Sequence, residues 1–159
     1  MTILGIDVGY DRCGFAVVDV NTMNVMDSGV ILTDRELSFI KRLRVLREDM
    51  LYIQNKYFPV GVCIEKLFFY RRNKVFEKIC MSKGVVLEIF ADTVIYEIEP
   101  SKMKKDITGF GKATKEDIKK ALSLRLGVNL EDYIDDELDA ISLALYGAQN
   151  TRLSNFLHI

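Results

Sequence analysis

Four carboxylates stand where ordinary packing gives no reason for them. Asp7 closes the run "ILGID" and Glu65 closes "VGVCIE", two short apolar stretches that otherwise read as buried strands. Asp136 and Asp139, within "DDELDAISLALYGA", have the i, i+3 spacing that places both on one helix face. If the two strands lie side by side and parallel, Asp7 and Glu65 reach one edge of the sheet, where open sheets place ligands. A helix beginning near Asp135, the expected cap, favours acids in its first turn through its dipole. Asp136 alone could be an ordinary helix-start residue, but the strand-end acids have no such everyday role. Four converging carboxylates repel unless cations compensate them. Mg2+ takes oxygen ligands, and two such ions roughly 3.5–4 Å apart activate a water and stabilise the leaving oxygen in phosphodiester hydrolysis.

Histidine content narrows the chemistry further. The only histidine is His158, the penultimate residue. Ser-His-Asp and Cys-His catalysis and histidine-rich zinc sites are therefore disfavoured, and carboxylates with a metal remain. The segment after Glu65, "KLFFYRRNK", sets Phe68, Phe69 and Tyr70 beside Arg71, Arg72 and Lys74. Aromatic faces stack on exposed bases while arginine and lysine hold phosphates; the plainer reading buries one or two of the rings in the core.

The elements that must carry these groups follow from pattern and punctuation. Strands are expected over 2–8, about 13–20 and about 24–32, with Gly9 and Gly14 in the first turn and Asn21 to Asn24 in the second. Links this short imply antiparallel neighbours. Leu37, Ile40, Leu43, Leu46, Met50, Ile53 and Tyr57 predict a helix over roughly 35–57. A strand over 60–64 follows, then a helix over about 74–91 with Phe76, Ile79, Cys80, Leu87 and Phe90 on one side, and a strand over 93–98. A lysine-rich stretch after Pro100 leads to a helix over about 115–126, with Thr114 and Asp117 as a capping box and Gly127 as its C-cap. The last helix spans about 136–149. Three antiparallel strands followed by helix-linked parallel strands give an α/β fold, a mixed five-stranded sheet flanked by helices.

At 159 residues and 49% hydrophobic content, the chain is expected to form one domain over 1–159. No apolar run approaches membrane-spanning length and no signal pattern opens the chain, so a cytoplasmic protein with no membrane partner is expected. Cys13, Cys63 and Cys80 never form a CxxC and read as small buried residues of a reduced protein. The net charge is −1, but its distribution is uneven. Between Lys66 and Lys83 there are six bases and one acid; between Glu99 and Lys120, seven lysines and four acids; between Gly127 and Ala140, six acids and no base. Such segregation suggests a polyanion surface, with Lys102, Lys105 and Lys112 among its phosphate contacts, beside a carboxylate cluster.

Four segments in order resemble the RuvC Holliday-junction resolvases of the ribonuclease H-like superfamily. "ILGIDVGYDRCGFAVV" is similar to the first-strand motif, with Val8 in place of its usual proline, and "CIEKLFFYRRN" to the second-acid segment. "SKMKKDITGFGKATKEDI" resembles the lysine-bearing segment, and "DDELDAISLALYGA" the closing Asp-x-x-Asp-Ala helix. The resemblance implies a ribonuclease H-like sheet and metal ligation by Asp7, Glu65, Asp136 and Asp139. It implies Lys104 and Lys115 in junction binding or catalysis, and Phe68 near the junction centre. It also implies a homodimer that cuts four-way DNA by paired nicks with Mg2+, two ions per site, Mn2+ substituting. Other branched DNA is a further expected substrate, because Asp11 adds an acid beside the site. The rivals are a ribonuclease H-like RNA-processing nuclease and a non-catalytic branched-DNA-binding module. The "GIDVG" opening also resembles actin-like ATPases and sugar kinases, but their two duplicated domains need a longer chain.

Overall fold

The computed structural model describes residues 1–68 and 74–157, the side chains of 152–157 excepted. Strands β1 (Thr2–Asp7), β2 (Arg12–Asp19) and β3 (Val25–Leu32) form an antiparallel meander. The chain then crosses through α1 (Phe39–Tyr57) to β4 (Gly61–Glu65), parallel to β1, and through α2 (Lys74–Ile89) to β5 (Val94–Ile98), parallel to β4. The strand order is β3-β2-β1-β4-β5. Helices α3 (Pro100–Thr108), α4 (Lys115–Leu126) and α5 (Asp135–Leu157) complete the described chain. Each expected strand is present to within a residue at either end.

Side-chain alternation divides the sheet into two cores. Leu4, Ile6, Val17, Val62 and Ile64 pack with Leu46, Met50 and Ile53 of α1 and with Val86 and Ile89 of α2. Ile3, Ala16, Val18 and Cys63 pack on the other face with Leu138, Ile141, Ala144 and Ala148 of α5. Strand parity then settles the placement of the acids. Asp7 follows Ile3 and Gly5, Glu65 follows Gly61 and Cys63, and so both emerge on the α5 face.

Helix α5 lies directly on strand backbone. A Cβ at Gly5 would stand 2.1 Å from the Ala140 carbonyl oxygen, and one at Gly14 would stand 1.9 Å from that of Asp136. Gly14 is thus not the turn residue its position suggested. It sits inside β2 opposite Asp7, where only a missing side chain lets the first turn of α5 approach.

Other departures have local causes. Helix α1 begins at Phe39 rather than 35, because the Asp34 carboxylate accepts from Glu36 N (2.9 Å) and its carbonyl from Leu37 N (3.2 Å), which closes a separate turn. Ile40 is 70% exposed, and Arg42 takes the buried position next to it. Apolar residues surround α2 almost completely, so spacing could not choose its inner face. That face is Ser82, Lys83, Val86 and Ile89, and Cys80 is exposed rather than buried. Helix α3 was not expected; it is nine residues long with Met103 alone buried, too short for a periodic signal. Pro100 opens it and Gly109, at φ 80°, closes it. The capping box at Thr114 and Asp117 forms as expected, with Asp117 N donating to Thr114 Oγ1 (3.2 Å) and Thr114 N to Asp117 Oδ2 (2.9 Å).

Gly5→Ala and Gly14→Ala each force α5 off the sheet. Each is expected to lower the stability measured by urea unfolding by about 2–3 kcal/mol. A change within 0.5 kcal/mol at both positions, roughly the level of a neutral surface substitution, would contradict this packing.

Candidate active site

The site is assembled from three separated stretches of chain. Ile6 and Ile64 are register partners on the parallel strands β1 and β4, so Asp7 and Glu65 leave the sheet as neighbours at its carboxyl edge. The glycine contacts press α5 onto β1 and β2 and bring its first two turns, with Asp136 and Asp139, over the same edge. Asp135 is the first helical residue rather than the expected cap. The Ile134 carbonyl accepts from Glu137 N and Leu138 N (3.1 Å each), and the Asp135 carboxylate accepts from Lys115 Nζ at 2.6 Å.

Electrostatics record how closely the acids meet. Burial, then Asp139, Glu65 and Asp136, push the Asp7 carboxyl from 3.8 up to about 7, against a smaller pull from Lys115. Burial raises Glu65 as well, with Asp139 adding to it and Lys104 and Lys83 opposing it. Asp139 is raised by burial and by Asp135 and Asp136, with Lys115 and Lys104 opposing. Asp7 therefore feels the other three expected acids, Glu65 feels Asp139, and Asp139 feels Asp136, with both expected lysines, Lys104 of α3 and Lys115 of α4, within their field. The exposed Lys115 is itself held protonated to higher pH, chiefly by its hydrogen bond to Asp135.

Among the described residues, no three His, Cys, Asp or Glu side chains are grouped closely enough to hold a metal ion as they stand. The acids share a field without being drawn onto one point. Asp136 instead lies 3.0 Å from Arg12 Nη2, a basic residue whose role here was not anticipated. The donor set nonetheless fits a hard divalent cation: every candidate ligand is a carboxylate oxygen. Asp7 is left with uncompensated repulsion, and the buried Asp136 Oδ2 accepts no well-aligned hydrogen bond.

The surroundings divide into open and buried cations. Lys102, Lys105 and Lys112 are exposed on α3 and the loop after it, and Lys74 is exposed at the start of α2. Lys102 approaches Glu99 only loosely, at 4.0 Å. Phe68 is 44% exposed, and Lys66 Nζ stands 5.8 Å from its ring centroid. The expected contacts Phe69, Arg71 and Arg72 lie outside the described residues. Asp11 is taken up by Arg42 and Arg35, and the hydrogen bond from Arg42 holds its carboxyl below the usual range. Arg42 also donates to Thr33 Oγ1 and to the Tyr10 carbonyl (2.9 Å each), which fixes the loop after Asp7. Lys83, buried in α2, is a further unanticipated residue; apolar residues one helical turn away on either side, Ile79 and Val86, were the only signal.

Known proteins resemble the chain over nearly its whole length. A family model described as "Crossover junction endodeoxyribonuclease RuvC" matches residues 3–146. A protein of that description from Thermosipho melanesiensis is 36% identical over 156 residues, covering 96% of this chain and 99% of its own. The solved structure of Thermus thermophilus RuvC superposes with a TM-score of 0.85 at 26% identity, covering 97% of each chain. The same protein in complex with a Holliday junction substrate gives 0.84 at 25% identity, covering 96% of each.

The raised Asp7 carboxyl fixes the sign of a pH dependence. Without metal, the folded state holds its proton between about pH 4 and 7 while the unfolded chain has lost it. Its contribution is therefore favourable at low pH and is lost as pH rises through about 7, with Glu65 and Asp139 adding in the same sense. In EDTA, Asp7→Asn should melt at a higher temperature than the parent protein at pH 8 and lose less stability between pH 5 and 8, an effect of a few kcal/mol. Identical pH profiles in thermal melts of the two proteins would refute the strained cluster.

Proposed function

The chain belongs to the RuvC family of crossover junction endodeoxyribonucleases, and from that premise we propose that it resolves Holliday junctions as a cytoplasmic homodimer with Mg2+ at Asp7, Glu65, Asp136 and Asp139. The observation that carries the site assignment is the mutual pressure of those acids, delivered to one sheet edge by β1, β4 and α5. When bound, Mg2+, with Mn2+ as a substitute, activates the attacking water and stabilises the departing oxygen. A set of oxygen donors without histidine suits that chemistry.

The chain's own residues supply placement and charge. Asp7 and Glu65 are mounted on adjacent strand ends, and Asp136 and Asp139 on a helix packed closely on strand backbone. Lys104 and Lys115 present ammonium groups beside the acids, placed to hold the oxygens of the scissile phosphate. Lys115 must exchange its Asp135 partner for that phosphate. Lys102, Lys105, Lys112 and Lys74 hold flanking phosphates, Phe68 stacks on an exposed base near the junction centre, and Phe69, Arg71 and Arg72 are further DNA contacts. One acidic cluster makes one incision, so symmetric paired incisions require two clusters related by a two-fold axis. A purely binding module gains nothing from carboxylates set against phosphates, which disfavours that rival. Among the described residues no helix is long and apolar enough to cross a membrane.

Asp7→Asn and Glu65→Gln are expected to abolish Mg2+-dependent cleavage of a synthetic four-way junction while leaving gel-shift binding intact. Lys104→Ala and Lys115→Ala should each reduce the slope of log affinity against log salt by about one. Parent-level cutting by either acid variant overturns the ligand assignment, and an unchanged slope in both lysine variants removes them from the phosphate contacts.

A further inference from the structure

We infer that Lys83 is a positioning residue that aims Glu65. Only 7% of Lys83 is exposed, an unusual state for a lysine. Its Nζ donates to the Glu65 carbonyl oxygen at 3.2 Å and pairs with the carboxylate of Glu97 on β5. A single ammonium therefore joins α2, β4 and β5 at the edge where Glu65 leaves the sheet.

The backbone shows what this contact controls. The peptide unit joining Glu65 to Lys66 has two polar groups, the Glu65 carbonyl and the Lys66 N–H. The N–H donates to the Ile98 carbonyl at 2.9 Å, and the carbonyl accepts from Lys83. Both ends of that plane are held, so the backbone cannot rotate about Glu65 without breaking one of the bonds. The Glu65 side chain leaves from the same Cα, and a turning plane would swing its carboxylate away from Asp7. The Glu97 side chain is exposed, and an ion pair open to water on one side contributes little stability. A lysine kept here, bonded to the backbone of the acid it serves, is better accounted for by orientation than by stability. Outer partners of metal ligands act in this manner, and losing one costs about 10–100-fold in metal affinity or activity.

The inference rests on Glu65 being a metal ligand, and Mn2+ titration monitored by electron paramagnetic resonance tests both statements separately. The relevant signal is the bound Mn2+ that Asp7→Asn removes from the parent protein. Lys83→Met, and the double variant Lys83→Met with Glu97→Gln, should need about 10–100-fold more Mn2+ for half-saturation. Lys83→Arg, which keeps a buried donor, should restore most of the affinity, and junction binding in EDTA should be unchanged in all three. The double variant leaves no unpaired buried charge, so it carries the test if Lys83→Met fails to fold by circular dichroism. A folded double variant with the parent's Mn2+ titration overturns the positioning role, because Lys83 would then only balance Glu97. A parent protein with no Asp7-dependent Mn2+ signal overturns the metal reading itself.

Discussion

Repulsion among carboxylates that the backbone will not let separate is the constraint on which this structure turns. Gly5 and Gly14 allow α5 to rest on strand backbone at distances that no side chain could tolerate. That contact brings Asp136 and Asp139 over the ends of β1 and β4, where Asp7 and Glu65 already stand. Burial strips water from these groups, and each then feels its neighbours more strongly. An apolar core built this way would gain stability from the close approach; here the same approach concentrates negative charge. The fold thus holds an electrostatic debt that a divalent cation can cancel.

The surrounding cations are graded by how firmly they are held. Arg42 and Lys83 are buried and hydrogen-bonded to backbone at the ends of the two acid-bearing strands, Arg42 to the Tyr10 carbonyl after β1 and Lys83 to the Glu65 carbonyl of β4. Arg12 and Lys115 are more exposed and pair with single carboxylates at the cluster's rim, Asp136 and Asp135. The outermost group, Lys74, Lys102, Lys105 and Lys112, is exposed, where a polyanion can reach it. On the proposed function, rigid cations shape the site, rim cations exchange partners, and outer cations collect substrate. A net charge of −1 is compatible with a DNA enzyme because the two signs are segregated along the chain.

Much of this was legible in the sequence, for identifiable reasons. Asp7 and Glu65 betrayed themselves because a carboxylate ending an apolar strand contradicts the pattern around it. Asp136 and Asp139 were readable from helical spacing, and the parallel pairing of β1 and β4, only a condition of that reading, is met in the structure. Gly14 was misread as a turn, since a glycine needed for close approach looks no different from one needed for a bend until the partner helix is placed. The inner face of α2 was hidden by apolar residues all round it, and with it the burial of Lys83. Helix α3 was lost to brevity. Arg12 and Arg42 could not be placed because their partners, Asp136 and the residues around Tyr10, are distant in sequence or carried by turn geometry.

The most direct test of the central claim is diffraction from crystals of the protein soaked in Mn2+, measured at the manganese absorption edge. The account predicts two anomalous peaks, roughly 3.5–4 Å apart, bounded by the carboxylates of Asp7, Glu65, Asp136 and Asp139, with Arg12 displaced from Asp136. Fully occupied manganese elsewhere on the molecule, with those four carboxylates unliganded, would contradict it.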